Sequence, residues 1–90
     1  MDFSKLTDDF LIKLRMENTF STDNYEKVKS ALIHNVAEWK SDGSVPVKDV
    51  VDIVFLIDQL AGGSRFFDEE TTIKVEDACI EIVEIMNSLE

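Results

Sequence analysis

Apolar residues recur at intervals of three and four in four separate stretches of this 90-residue chain. That spacing matches the turn of an α-helix, so each stretch predicts a helix with one apolar face. Breaks rich in turn-forming residues separate the stretches at residues 18–24, 41–46 and 62–68. We therefore predict an all-α fold, a four-helix bundle or an orthogonal four-helix array, in one domain over residues 1–90.

The first two predicted helices span about residues 3–17 and 24–41. The apolar face of the first is formed by Phe3, Leu6, Phe10 and Leu14. Three residues are placed to cap its start: Asp2, Ser4 and Thr7. The apolar face of the second is formed by Tyr25, Val28, Leu32, Val36 and Trp39. Asp23 and Glu26 have the spacing of a capping box at its start, and Gly43 suits the left-handed conformation that ends many helices.

The third predicted helix spans about residues 47–61. Pro46 stands where a helix start tolerates proline, and Gly62-Gly63 are expected to end the helix. Its polar residues share a narrow arc: Lys48, Asp49, Asp52 and Gln59. Because nearly every other residue is apolar, we expect this to be the most buried helix. Its many β-branched residues make a strand the competing interpretation, but the apolar run is longer than most strands, which favours a helix.

The fourth predicted helix spans about residues 69–88. Asp68 is expected to cap its start, and Glu69 and Glu70 complement the positive end of the helix dipole. Its inner face is formed by Val75, Ala78, Cys79, Ile82, Met86 and Leu89.

The chain is strongly acidic, with 19 acidic and 9 basic residues and a net charge of −10. Cationic surface is needed to bind nucleic acid or an anionic membrane, so this charge disfavours both. An acidic surface instead attracts a basic protein, and we predict such a partner. The alternative interpretation is that the acidity serves only solubility.

Residues able to support catalysis or bind a metal ion are scarce. The only histidine, His34, falls on the outer face of the second helix, while the only cysteine, Cys79, falls on the inner face of the fourth. His34 and Glu38 are four residues apart and can meet, but two ligands are too few for a zinc site. We predict that the protein is not an enzyme and has no cofactor and no metal site.

Two further patterns bear on location. A single cysteine excludes an internal disulfide, and the charged first 20 residues do not resemble a signal peptide. The most apolar stretch, residues 50–62, contains Asp52 and Asp58 and is shorter than a membrane-spanning helix. We expect a cytoplasmic protein.

Candidate partner-binding residues fall in three groups. Asp58 lies beside Val47, Val51 and Val54 on the helical wheel, where it either pairs with Arg65, Lys13 or Arg15 or binds a cation of the partner. A row of acids runs along the fourth helix, interrupted by Lys74, and consists of Glu70, Asp77, Glu81 and Glu84. The third group is Arg65, Phe66 and Phe67, residue types common at interface hot spots, although the two rings could instead close the end of the bundle.

Ile73 and Ile80 lie off the inner face of the fourth helix, at the edge of this acidic row. An apolar strip beside acids is typical of a protein-binding surface or of a homodimer interface. We keep both interpretations: a binder of a basic partner, or a self-associating structural or regulatory adaptor.

Two family resemblances accompany these patterns. The stretch KDVVDIVFLID, residues 48–58, is similar to the start of the second helix of acyl carrier proteins. Asp49 and Asp52 fit that motif, but Val50 occupies the position of the serine that carries the prosthetic arm. In size, acidity and helix content the whole chain resembles the small acidic immunity proteins with which bacteria neutralise toxins. That resemblance implies a basic toxin or nuclease as the partner.

Overall fold

The computed structural model describes residues 3–63 and 68–89. Within these ranges the chain forms four α-helices: α1 (Phe3–Glu17), α2 (Thr22–Asp42), α3 (Val47–Gly63) and α4 (Glu69–Asn87). The predicted all-α fold is confirmed, and the β-branched third segment is a helix.

The helices surround the core in the order α1, α2, α4, α3. Each helix packs closely against its two neighbours in this ring, whereas in the diagonal pairs, α1 with α4 and α2 with α3, no Cα atoms of the described residues come within 8 Å of each other. The molecule measures 40 × 22 × 20 Å, and α2, with 21 residues, is about 31 Å long. Four helices packed around one core agree with the predicted four-helix bundle or array.

α2 and α4 run in the same direction. Lys29 contacts Glu81, and further along both helices Lys40 and Ser88 line the same groove. With short connections joining α1 to α2 and α3 to α4, the chain follows an up-down-up-down path.

The core is built from the apolar faces that the sequence predicts. All five residues of the α2 stripe are buried, and α4 contributes Val75, Ala78 and Ile82. Cys79 and Met86 are half-buried and pack against the core from the same helix, as does Leu89, two residues beyond its end. α1 contributes Phe3, Phe10, Leu11 and Leu14.

The helix ends agree with the sequence prediction in some places and differ in others. α2 begins two residues early because Ser21, and not Asp23, is its N-cap, with the Ser21 hydroxyl accepting a 3.3 Å hydrogen bond from the Asn24 N–H. Gly43 ends α2 in the left-handed conformation, as predicted, at φ 77°. Asp68 caps α4, also as predicted, accepting a 2.8 Å hydrogen bond from the Thr71 N–H. The expected stop at Gly62-Gly63 is wrong, because α3 continues through both glycines.

α1 ends at Glu17, where the sequence predicts the break that begins at residue 18. Asn18 has a φ of 51°, a left-handed conformation that asparagine tolerates better than most residues. The Thr19 N–H then donates to the carbonyl of Lys13 at 3.3 Å, which closes the last turn of α1. Of the three residues placed to cap its start, Ser4 and Thr7 lie inside the helix, while Asp2 lies outside the described residues.

The expectation that α3 is the most buried helix is wrong. Only Ile53, Leu56 and Leu60 are buried, and they point into the core at spacings of three and four. The polar residues Asp49, Asp52 and Gln59 are half-buried beside them. The rest of the apolar surface of α3 faces solvent, because the helix has neighbours on two sides only. We call this exposed surface the outer α3 face; it consists of Val47, Val50, Val51, Val54 and Phe55.

Candidate functional site

Four exposed residues form a single row on the outward side of α4. Ile73, Asp77, Ile80 and Glu84 follow one another at spacings of four, three and four, so they lie one above another on the helix surface. We call this row the α4 stripe. Isoleucine and carboxylate alternate along it, which joins the predicted apolar strip and part of the predicted acidic row in one surface.

The side chains of the α4 stripe are available to a ligand. Ile73 is 52% exposed and Ile80 is 57% exposed, and Val83 adds further apolar surface beside them. Among residues 3–63 and 68–89, no cation lies within ion-pair distance of Asp77 or Glu84. Exposed isoleucines between carboxylates that pair with no cation of the described residues are not explained by the stability of the bundle.

Glu81, which the sequence groups with the partner-binding acids, binds α2 instead. Its Oε1 atom accepts a 2.8 Å hydrogen bond from the Tyr25 hydroxyl, and its Oε2 atom lies 2.9 Å from the Lys29 Nζ atom. We call this three-residue contact the Glu81 bridge. Both carboxylate oxygens are engaged within the protein, so Glu81 fixes α4 against α2.

The Glu81 bridge shifts the pKa values of its members. Hydrogen bonds from Lys29 and then from Tyr25 lower the pKa of Glu81, because they stabilise its charged form. The same carboxylate raises the pKa of Lys29 through its hydrogen bond. Burial, followed by the hydrogen bond to Glu81, raises the pKa of the Tyr25 phenol. All three residues therefore keep their bridging protonation states around neutral pH.

Tyr25 is held in place by two other aromatic rings. The ring of Phe10 lies 5.4 Å from that of Phe20 in an edge-to-face arrangement, and 5.7 Å from that of Tyr25. The rings of Phe20 and Tyr25 are 5.4 Å apart. The apolar spacing of α2 predicts Tyr25 as a core residue only. A buried tyrosine hydroxyl usually needs a hydrogen-bond partner, and that need was the signal that could have revealed its contact with α4.

The remaining predicted acids occupy different surroundings. Glu70 lies 3.5 Å from Lys74 one turn along α4, and because both side chains are exposed this pair adds little stability. Glu84 also lines an open groove between α2 and α4, whose apolar floor includes Ile33 and Ile85. The C-terminal end of the α4 stripe, at Glu84, thus continues into this concave groove.

Asp58 is exposed on the outward side of α3, in the row formed with Val47, Val51 and Val54. Neither Lys13 nor Arg15 pairs with it, and no other cation of the described residues does so. Its third predicted partner, Arg65, lies outside the described residues, as do Phe66 and Phe67.

His34 and Cys79 lie on different surfaces. The His34 Nε2 atom is 3.1 Å from Glu38 Oε1 on the exposed side of α2, as the sequence spacing suggests. Cys79 is half-buried against the core. In the described part of the chain, no three of its histidine, cysteine and acidic residues cluster as metal ligands would, and no helix has the length and apolar character to cross a membrane.

Comparisons with known proteins found no matching family model, no similar curated protein and no similar solved structure.

Proposed function

We propose that this protein is a small acidic protein-binding module that binds a basic partner through the α4 stripe. The observation that carries the proposal is the alternation of exposed isoleucines with carboxylates that pair with no cation of the described residues, on one side of a helix held to α2 by the Glu81 bridge. The partner class that fits best is a basic toxin or nuclease, which the protein would neutralise in the cytoplasm.

The two residue types of the stripe have separate roles in this proposal. Ile73 and Ile80 supply affinity, since burying apolar side chains at the centre of an interface provides much of the binding energy. Asp77 and Glu84 attract the partner over a distance, and the net charge of −10 strengthens that attraction.

A nuclease fits this surface for a chemical reason. Proteins bind nucleic acid through lysine and arginine side chains placed to meet successive phosphates. Carboxylates spaced along α4 can occupy those cations and cover the surface that the nucleic acid needs. A second copy of this chain fits the stripe less well, because Asp77 and Glu84 of the two copies would repel each other.

The proposal can be tested by affinity capture from the native host with three baits: the wild-type protein, a Glu84→Lys variant and a Glu17→Lys variant. Glu17 is exposed on α1, diagonally across from α4, so the two variants change the net charge equally but only one alters the stripe. We expect a basic protein that binds the wild type and the Glu17→Lys bait and is lost with Glu84→Lys. Equal loss of binding with both variants would show that the interaction depends on net charge alone, and would refute the role of the stripe.

Kinetics with the captured partner separate the two roles. Replacing Ile80 by alanine should mainly raise the dissociation rate, whereas added salt should mainly slow association. An association rate that does not change between low and high salt would contradict the electrostatic part of the proposal.

A further inference from the structure

The outer α3 face is an apolar surface that the bundle leaves uncovered. Val47 is 78% exposed, Val51 60%, Val54 61% and Phe55 45%. Valines exposed to this degree along three turns of one helix contribute little to the core. A soluble monomer rarely exposes so continuous an apolar surface without a use for it.

α1 extends this surface sideways. Ile12 and Met16 are exposed on α1, and together with Phe55 they line a shallow hollow between the two helices. The outer α3 face and these two α1 residues expose on the order of 700 Å², close to the roughly 800 Å² that each partner buries in a standard interface.

The charges around this surface balance. Lys48 and Asp58 lie at its two ends on α3, and Asp8 and Arg15 line the hollow on the α1 side. Two positive and two negative side chains give no net charge, although the protein as a whole carries −10. A basic partner is attracted more strongly to α4, whereas a second copy of this chain meets no net repulsion here.

The positions of Lys48 and Asp58 make the surface complementary to itself. They are ten residues apart, so about 15 Å of helix separates them and they cannot pair within one chain. Ile53 lies midway between Lys48 and Asp58 along α3, five residues from each. It also lies midway between Val51 and Phe55, two residues from each. If the α3 helices of two copies pack antiparallel and cross at the position of Ile53, Lys48 of each copy lies opposite Asp58 of the other.

We infer that the protein self-associates into a twofold symmetric dimer through the outer α3 face and the adjoining Ile12 and Met16. In this dimer Val51, Val54 and Phe55 of the two copies pack together at the centre. Two Lys48–Asp58 pairs close the ends, as the self-complementarity of a twofold interface requires. The α4 stripe takes no part, so this inference does not depend on the proposed function.

The first test is sedimentation velocity of the whole chain over a range of concentrations reaching about 500 µM, because the area exposed here is the most that the dimer can bury and falls short of a standard interface. We expect a shift from monomer to dimer, and a Kd at least tenfold higher for Val51→Asp. The control is Ile33→Asp, which places the same charge on an exposed isoleucine of the diagonally opposite helix α2. A wild type that stays monomeric, or a dimer that Val51→Asp leaves intact, would overturn the inference.

The second test uses charge reversal, with circular dichroism confirming that each variant folds. Lys48→Glu alone and Asp58→Lys alone should each raise the Kd several-fold, because each places like charges opposite one another. An equimolar mixture of the two variants restores opposite charges at both ends, so heterodimers should form more tightly than either homodimer. A mixture that associates no better than the separate variants would rule out the antiparallel pairing.

Discussion

The hydroxyl of Tyr25 on α2 donates a 2.8 Å hydrogen bond to the Glu81 carboxylate on α4, across 56 positions of sequence. The ring of Tyr25 is fixed by Phe10 and Phe20, and the second oxygen of Glu81 is bound by Lys29. The aromatic core near the α1–α2 turn is therefore connected to the middle of α4. Because the α4 stripe lies on the same helix, its orientation depends on this contact.

Replacing Tyr25 by phenylalanine should lower the free energy of unfolding by about 1.5 kcal/mol, because a hydrogen bond to a charged group contributes more than one between neutral groups. The substitution keeps the ring in its aromatic cluster and removes only the hydroxyl. Urea denaturation followed by circular dichroism measures the effect. A change below about 0.3 kcal/mol would show that water replaces the hydroxyl without loss.

The contribution of Glu81 to stability should depend on pH. Its pKa is lower in the folded protein than in the unfolded chain, so the stability it provides is present above the unfolded value of about 4.3 and is lost as pH falls through the folded value. The difference in unfolding free energy between the wild type and Glu81→Gln should thus shrink between pH 6 and pH 3. Urea titrations at several pH values measure it, with Glu76→Gln on the same helix as the control. A difference that stays constant over this range would contradict the ionic role of the bridge.

Two glycine substitutions should have opposite effects. Gly43→Ala should destabilise the protein by about 1 kcal/mol, since Gly43 has a φ of 77° that a side chain tolerates poorly. Gly62→Ala should stabilise it by about 0.5 kcal/mol, because Gly62 lies within α3 and an added methyl group meets open space. Thermal unfolding of both variants provides the comparison. Destabilisation by Gly62→Ala would mean that α3 ends before this glycine.

The orientation of α3 can be tested with two truncations. Leu56→Ala should cost about 2–5 kcal/mol because Leu56 is completely buried, whereas Val54→Ala should change the unfolding free energy by less than about 0.5 kcal/mol. Chemical denaturation at low protein concentration, where any dimer is dissociated, gives both values. Similar losses for the two variants would place Val54 in the core and reverse the assignment of the outer face.

Local patterns predicted the helices well because the residues that each helix buries recur at helical spacing within its own sequence. The apolar stripe from Tyr25 to Trp39 is buried as its spacing indicates. Gly43 ends α2 and Asp68 begins α4, each through contacts with residues only a few positions away. The start of α2 was harder to predict, since Ser21 and Asp23 are both able to cap a helix. The choice depends on backbone geometry that the sequence does not display.

Features that depend on two distant segments were not predictable in the same way. In α3 nearly every direction is apolar, so periodicity could not tell whether Val54 or Leu56 points inwards. The order of helices around the core, and with it the pairing of Lys29 with Glu81, requires knowing which faces meet. The acidic row therefore appeared uniform in sequence, while the structure divides it into a bridging residue and exposed ones.

The ring of helices also determines how the molecule can come apart. α1–α2 and α3–α4 form two hairpins, which meet where α1 packs on α3 and, on the opposite side of the ring, where α2 packs on α4. The chain passes between the hairpins once, through residues 44–46. Separating the hairpins breaks the packing at both places and leaves the contacts within each hairpin intact, so two molecules can in principle exchange halves. The left-handed turn at Gly43 and the ring of Pro46 shorten and stiffen this passage. A connection this short invites exchange when it is strained, and Gly43 relieves that strain because glycine adopts the left-handed conformation without steric cost, which favours the closed bundle.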